Sequence, residues 1–363
     1  MEERPNRIGA VQASRRWCGV LVCVAMALLA GCAAAPQRPD TGELVWPAPP
    51  EAPRIRYVAE YHSQNDLGSG PGFKELLLGD NKVVPALEKP YGVTVSADGQ
   101  RIYVADTKLR SVMVFDLQAK TLRPFRTDAQ SRVVSPIEVR LDSKGNLYVT
   151  DSVHARLNVY SPQGKTLLSL GKAENLQRPT GLAIDEARGR IYVADTKAHR
   201  IVVYGMDGRF ITSFGERGSE PGQFNFPVNL TVDKDGNLYV VDSGNFRVQI
   251  LAGDGSPLRN FGRAGDAFGS MGRPKGIALD SEGHVYLADA AFNNFQIFDV
   301  NGNIMLFVGS LGREPGRFWI PAGMYMSATD RLYVVDSVNA RVQVFQYLGS
   351  AQSGGSTSGT TAR

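Results

Sequence analysis

Six near-identical tetrapeptides limit what this chain can fold into. Tyr103–Asp106 reads Tyr-Val-Ala-Asp, and variants recur at Tyr148–Asp151, Tyr192–Asp195, Tyr239–Asp242, Tyr286–Asp289 and Tyr333–Asp336. Successive aspartates are 45, 44, 47, 47 and 47 residues apart. A period of that length marks an array of one supersecondary unit repeated along the chain. Features shared by all six copies are expected to be architecture, and positions that break the pattern become candidates for function.

Each unit reads as four short strands. In the fourth, Val228 to Val232 is followed by the turn Asp233-Lys234-Asp235-Gly236-Asn237, and Leu238 to Val241 leads into Asp242. A third run, Arg247 to Leu251, and a fourth, Leu258 to Phe261, flank the turn Gly253-Asp254-Gly255. Tight Asp/Gly turns between runs that are apolar on both faces predict stacked blades. The fold expected is all-β, a six-bladed β-propeller of four-stranded antiparallel blades over 54–348. The sixth repeat supplies three strands. The orphan run Arg54 to His62 is expected to complete it and close the ring, which removes free sheet edges.

The phrase from Pro227 to Ile250 resembles the NHL repeat, as does Pro179 to Val203, and the resemblance extends over about residues 90–347. Ala198-His199-Arg200, Asn245-Phe246-Arg247 and Asn339-Ala340-Arg341 keep part of its Asn-His-Arg hallmark. The resemblance implies either a binding platform or, as in other relatives, a lyase or hydrolase. Fold alone does not choose between them.

The ends read differently. Arg4, Arg7, Arg15 and Arg16 precede an apolar or small stretch from Trp17 to Ala30, too short to span a bilayer. Leu29-Ala30-Gly31-Cys32 resembles a bacterial lipobox, with Cys32 the lipidated residue, and Ser14-Arg15-Arg16 is similar to a twin-arginine signal. Residues 1–31 are therefore expected to be a lipoprotein signal peptide. Residues 32–53 hold six prolines between Pro36 and Pro53 and are expected to form an extended tether without helix or sheet. At ~3.1 Å per residue it would reach about 60 Å. The Gly/Ser/Thr-rich segment 349–363 is expected to be a disordered tail. Ala33 after Cys32 resembles an outer-membrane sorting signal, so the expected location is the bacterial cell envelope, outer membrane rather than inner. Cys18 and Cys23 fall within the signal, leaving no internal disulfide.

The whole chain carries +4; four arginines and two glutamates go with residues 1–31, leaving +2. Near-neutrality argues against nucleic acid as the partner. A monomer with a protein, peptide or glycan partner is expected.

Candidate residues fall into three sets. Asp106, Asp151, Asp195, Asp242, Asp289 and Asp336 are expected to be structural. Each would cap the loop after the second strand, and Arg156, Arg200, Arg247 and Arg341 lie five residues on from four of them. At the inner strands, Glu138 and Asn229 stand where other blades have Gly92, Gly181, Gly276 and Gly323. Arg140 and Tyr325 break a ring of small residues, and with Lys275 these could form a polar channel-mouth site. The long-loop face carries His154, His199, Phe224, Phe226, Phe318 and Trp319 as candidate partner contacts. No metal site or cofactor is expected. The alternative is a lyase or lactonase with one divalent cation held by Glu138, Asn229 and His154 or His199.

Overall fold

The computed structural model describes residues 43–68, 84–128, 131–172 and 174–349. The predicted signal peptide, Cys32, the first half of the tether and nearly all of the tail lie outside the described residues.

The repeats form six antiparallel sheets around a closed ring. Their inner strands are Pro90–Val95, Pro136–Leu141, Pro179–Asp185, Pro227–Val232, Pro274–Leu279 and Pro321–Met326. Each packs on the inner strand of the next blade, and the sixth packs on the first. The second strands end at the six repeated aspartates, and all six of these side chains are fully buried. Apolar side chains on both faces of each blade meet those of its neighbours in six clusters, one per blade junction. Burying a Val, Leu, Ile or Phe side chain contributes about 1.5–3 kcal/mol each. Repeating that contribution at every junction stabilises a ring without disulfides.

The N-terminal strand Ile55–Tyr61 pairs antiparallel with Arg341–Tyr347, the last strand of the chain, as the sequence predicts. One feature corrects the sequence reading. Val45–Trp46, placed in the tether, forms a further strand on Ile55–Tyr61, so blade 6 has five strands. Proline occupies only the connection at residues 47, 49, 50 and 53, which leaves the amides of 45 and 46 free to pair. Trp46 meets Phe345 edge-on at 5.8 Å.

The inner strands approach one another closely. A Cβ on Gly92 would sit 2.4 Å from the carbonyl oxygen of Ile137, and one on Gly276 would sit 2.3 Å from that of Ala322. Glycine at this level is what lets neighbouring blades meet at the axis.

Candidate functional site

The six aspartates are architectural. Asp106 accepts the amides of Glu88, Lys89, Lys108 and Leu109, tying the loop that enters the blade to the loop that follows its second strand. Asp289 does the same with Gly272, Arg273, Ala291 and Phe292. The expected arginine pairs form at Asp242–Arg247 and Asp336–Arg341, both 2.9 Å, and more loosely at Asp195–Arg200, 3.4 Å. Asp151 departs from the expectation. Its carboxylate lies 2.9 Å from His154 Nδ1, because a histidine three residues on reaches the oxygen that Arg156 was expected to take.

The pattern-breaking inner-strand residues do come together, but inside the channel rather than at its mouth. Glu138 is buried. Its Oε1 accepts from Arg140 Nη1 at 2.5 Å, and its Oε2 accepts from Asn229 Nδ2 at 2.9 Å. The second contact runs from blade 2 to blade 4, past Gly181 of blade 3. Arg140 also donates to the carbonyl oxygens of Val139 at 2.8 Å, Val93 at 3.2 Å and Met324 at 3.4 Å, and lies over the Tyr325 ring at 5.9 Å. It thus bridges blades 6, 1 and 2. Thr150, which sequence reasoning missed, receives the Glu138 amide and donates to Thr180 O. Burial pushes the Glu138 carboxyl above its ordinary range, with the Arg140 guanidinium opposing. Lys275 is not part of this group. Its Nζ lies 3.2 Å from Tyr91 OH, blade 5 to blade 1, nearer the long-loop end of the inner strands.

The histidines are engaged locally. His199 is buried, with Nδ1 3.2 Å from both Phe224 O and Phe226 N and its ring 4.6 Å from that of Phe226. Glu138 therefore does not meet His154 or His199 in a shared donor set. Among the described residues no group of three or more His, Cys, Asp or Glu side chains converges.

Two aromatics expected on the partner face are core residues. Phe224 and Phe318 are fully buried between blades; Phe318 meets Phe295 edge-on and Phe345 at a tilt, both at 6.0 Å. The spacing of their loops is the same as for a surface anchor, but Gly215 and Gly309 open room for the rings beneath the loop. Phe226 is 46 % exposed and Trp319 39 %, and Arg313 lies over the Trp319 ring. Val153 and Val338, which the sequence did not single out, are 63 % and 45 % exposed in the loops after second strands.

One hydrogen bond recurs in all six blades. The amide after each repeated aspartate donates to the carbonyl of the residue just before the inner-strand proline: Thr107 to Lys89, Ser152 to Ser135, Thr196 to Arg178, Ser243 to Phe226, Ala290 to Arg273 and Ser337 to Ile320. These six pairs form a collar round the long-loop mouth of the channel. Phe226 and Ile320 hold left-handed backbone, φ 56° and 60°. For a β-branched residue such as Ile320 that conformation is strained. A cleft of about 1010 Å³ opens between blades 1 and 2, beside Phe125 and Tyr160, and contains none of the candidate residues.

This geometry defines a closed six-bladed β-propeller with a polar plug on its axis. The model of the NHL repeat matches residues 176–204, 224–251 and 318–345, so the propeller contains NHL repeats, in its third, fourth and sixth blades. Among solved structures, virginiamycin B lyase from Staphylococcus aureus is similar with a TM-score of 0.53 and 12 % identity, over 81 % of this chain and 100 % of that one. An auxiliary nutrient binding protein from Bacteroides ovatus gives a TM-score of 0.57 and 12 % identity, over 71 % and 69 %. At such identity the likeness is one of fold. A curated relative, the chloroplastic protein SUPPRESSOR OF QUENCHING 1 of Arabidopsis thaliana, is 28 % identical over 148 residues. That match covers 32 % of this chain and 14 % of the relative's length.

Proposed function

We propose that this chain is an envelope lipoprotein, lipidated at Cys32, whose propeller is a binding module presenting its long-loop face to a partner. The observation that carries the reading is where unspent chemistry lies. The axial carboxylate, guanidinium and amide are consumed by one another, whereas Val153, Phe226, Trp319 and Val338 stand exposed around one face. Exposed aromatic and aliphatic side chains on a rigid platform are the anchors that binding interfaces use. The similarity in fold to an auxiliary nutrient binding protein is in keeping with this reading.

Photo-crosslinking in intact cells tests this. A crosslinking side chain at Phe226 or Trp319 is expected to capture a discrete partner, and one at Glu186 or Lys234, in the turns of the opposite face, is not. Capture from the opposite face alone would reject the assignment.

A further inference from the structure

We propose that the long-loop mouth of the channel recognises an acidic polypeptide segment whose carboxylates are interleaved with apolar side chains. The inference rests on the reading that this face binds a partner, and adds the chemistry of the partner.

The collar is not uniform. At the position before the inner-strand proline, blades 1, 3 and 5 carry Lys89, Arg178 and Arg273, all exposed. Blades 2, 4 and 6 carry Ser135, Phe226 and Ile320. Two residues after the repeated aspartate, blades 1 and 3 again carry cations, Lys108 and Lys197, while blades 2 and 6 carry Val153 and Val338. The recurring amide-to-carbonyl bond places these two positions side by side in every blade. The mouth is therefore ringed by alternating sectors, cationic on odd blades and carrying Val153, Phe226, and Ile320 with Val338 on blades 2, 4 and 6, where Trp319 adds an aromatic ring under Arg313.

Among the described residues, all of these rim cations but Lys108 lack an internal counter-charge. Lys108 pairs with Glu88 at 2.5 Å. Lys89, Arg178, Lys197 and Arg273 make no ion pair among the described residues. Lys275 is half-buried, and among the described residues its ammonium meets the hydroxyl and ring of Tyr91, the ring centroid 5.6 Å away, and no carboxylate. A half-buried cation without a carboxylate is available to an anion from outside. Like charges gathered at one mouth attract such a ligand and fix its register.

The apolar sectors select the ligand class. Aromatic rings alone would also suit sugar faces, and a purely cationic rim would suit a phosphate backbone. Aliphatic Val153, Ile320 and Val338 complement neither, whereas they match the aliphatic side chains of a polypeptide. Placing the cations on every second blade suits acidic residues separated by apolar ones.

The test uses the full-length protein in detergent and a labelled synthetic peptide of repeated Asp-Leu-Glu-Phe units. A matching Lys-Leu-Arg-Phe peptide, polygalacturonate and polyuridylate serve as the other arms. The acidic peptide is expected to bind, more weakly as salt rises. Combined Lys89→Gln, Arg178→Gln and Arg273→Gln is expected to weaken it at least tenfold at unchanged Tm. Lys275→Met alone, and Phe226→Ser with Trp319→Ser, should each weaken it several-fold. Equal binding by the triple variant overturns the proposal, as does tighter binding of polygalacturonate or polyuridylate, or binding of no probe. A cellular partner that crosslinks from Phe226 yet survives the triple variant would keep the binding-module reading and remove this one.

Discussion

Arg140 is where three blades meet, and its removal should be felt beyond its own contacts. Without it Glu138 is a buried carboxylate left with the Asn229 amide and the Val139 N–H but no counter-charge, and losing one partner of a buried pair costs about 3–5 kcal/mol. We predict that Arg140→Met destabilises the propeller by about 3 kcal/mol at neutral pH. The pH dependence has a defined sign. Burial holds the folded-state pKa of Glu138 above its unfolded value of about 4.3, and more so without Arg140. The protonated form thus favours folding. Its contribution is complete below about pH 4 and is lost as pH rises through the folded value. The Tm deficit of Arg140→Met should accordingly be larger at pH 8 than at pH 5. Glu138→Gly with Arg140→Ala reproduces the residues of blades 3 and 5, and should be more stable than Arg140→Met alone. Thermal melts of both variants across pH decide this. At this scale the sequence was partly legible. Glu138, Arg140, Asn229 and Tyr325 announced themselves by breaking a repeat, but their mutual satisfaction depends on reach across the axis. Phe224 and Phe318 were misplaced for the opposite reason: an aromatic in a glycine-rich loop has the same sequence signature whether it points up or down.

The inner strand is the element on which the ring depends. Its glycine level is a contact between backbones, so a methyl group there has no flexible neighbour to displace. We predict that Gly276→Ala, whose Cβ would lie 2.3 Å from Ala322 O and 2.9 Å from Met324 N, costs about 3 kcal/mol, measured by denaturant unfolding. The outer edge of blade 6 should be more forgiving. Trp46→Ala is expected to cost about 2 kcal/mol, since the half-buried indole covers Phe345 without filling the core. Strand order, blade count and closure were all legible, because a repeated period fixes them together. The strand Val45–Trp46 was not, since a proline-rich neighbourhood masks two residues that are free to pair. The collar was also hidden. Lys89 and Thr107 are unremarkable in sequence, and only the hydrogen bond between them shows that they face the same opening.

At the scale of the whole molecule, the proposed anchor and the proposed face are separable. Cys32→Ser is expected to move the protein from the membrane to the soluble envelope fraction with its Tm unchanged, because lipidation would tether the ring without contributing to its packing. Membrane fractionation with intact-mass measurement of the wild-type N-terminus checks this, and an unlipidated wild-type chain would remove the anchor from the proposal. The pairing of Ile55–Tyr61 with Arg341–Tyr347 has a kinetic consequence. The two strands lie at opposite ends of the described chain, so that contact has nearly the largest sequence separation the protein allows, and such contacts form late. During synthesis the first strand emerges long before its partner exists. Blades 1 to 5 can assemble as they appear, but the circle stays open until the final strand is made. The commitment to a finished propeller is thus deferred to the end of translation, and a chain cut short before Arg341 is left with a sixth blade that cannot join the N-terminal strand.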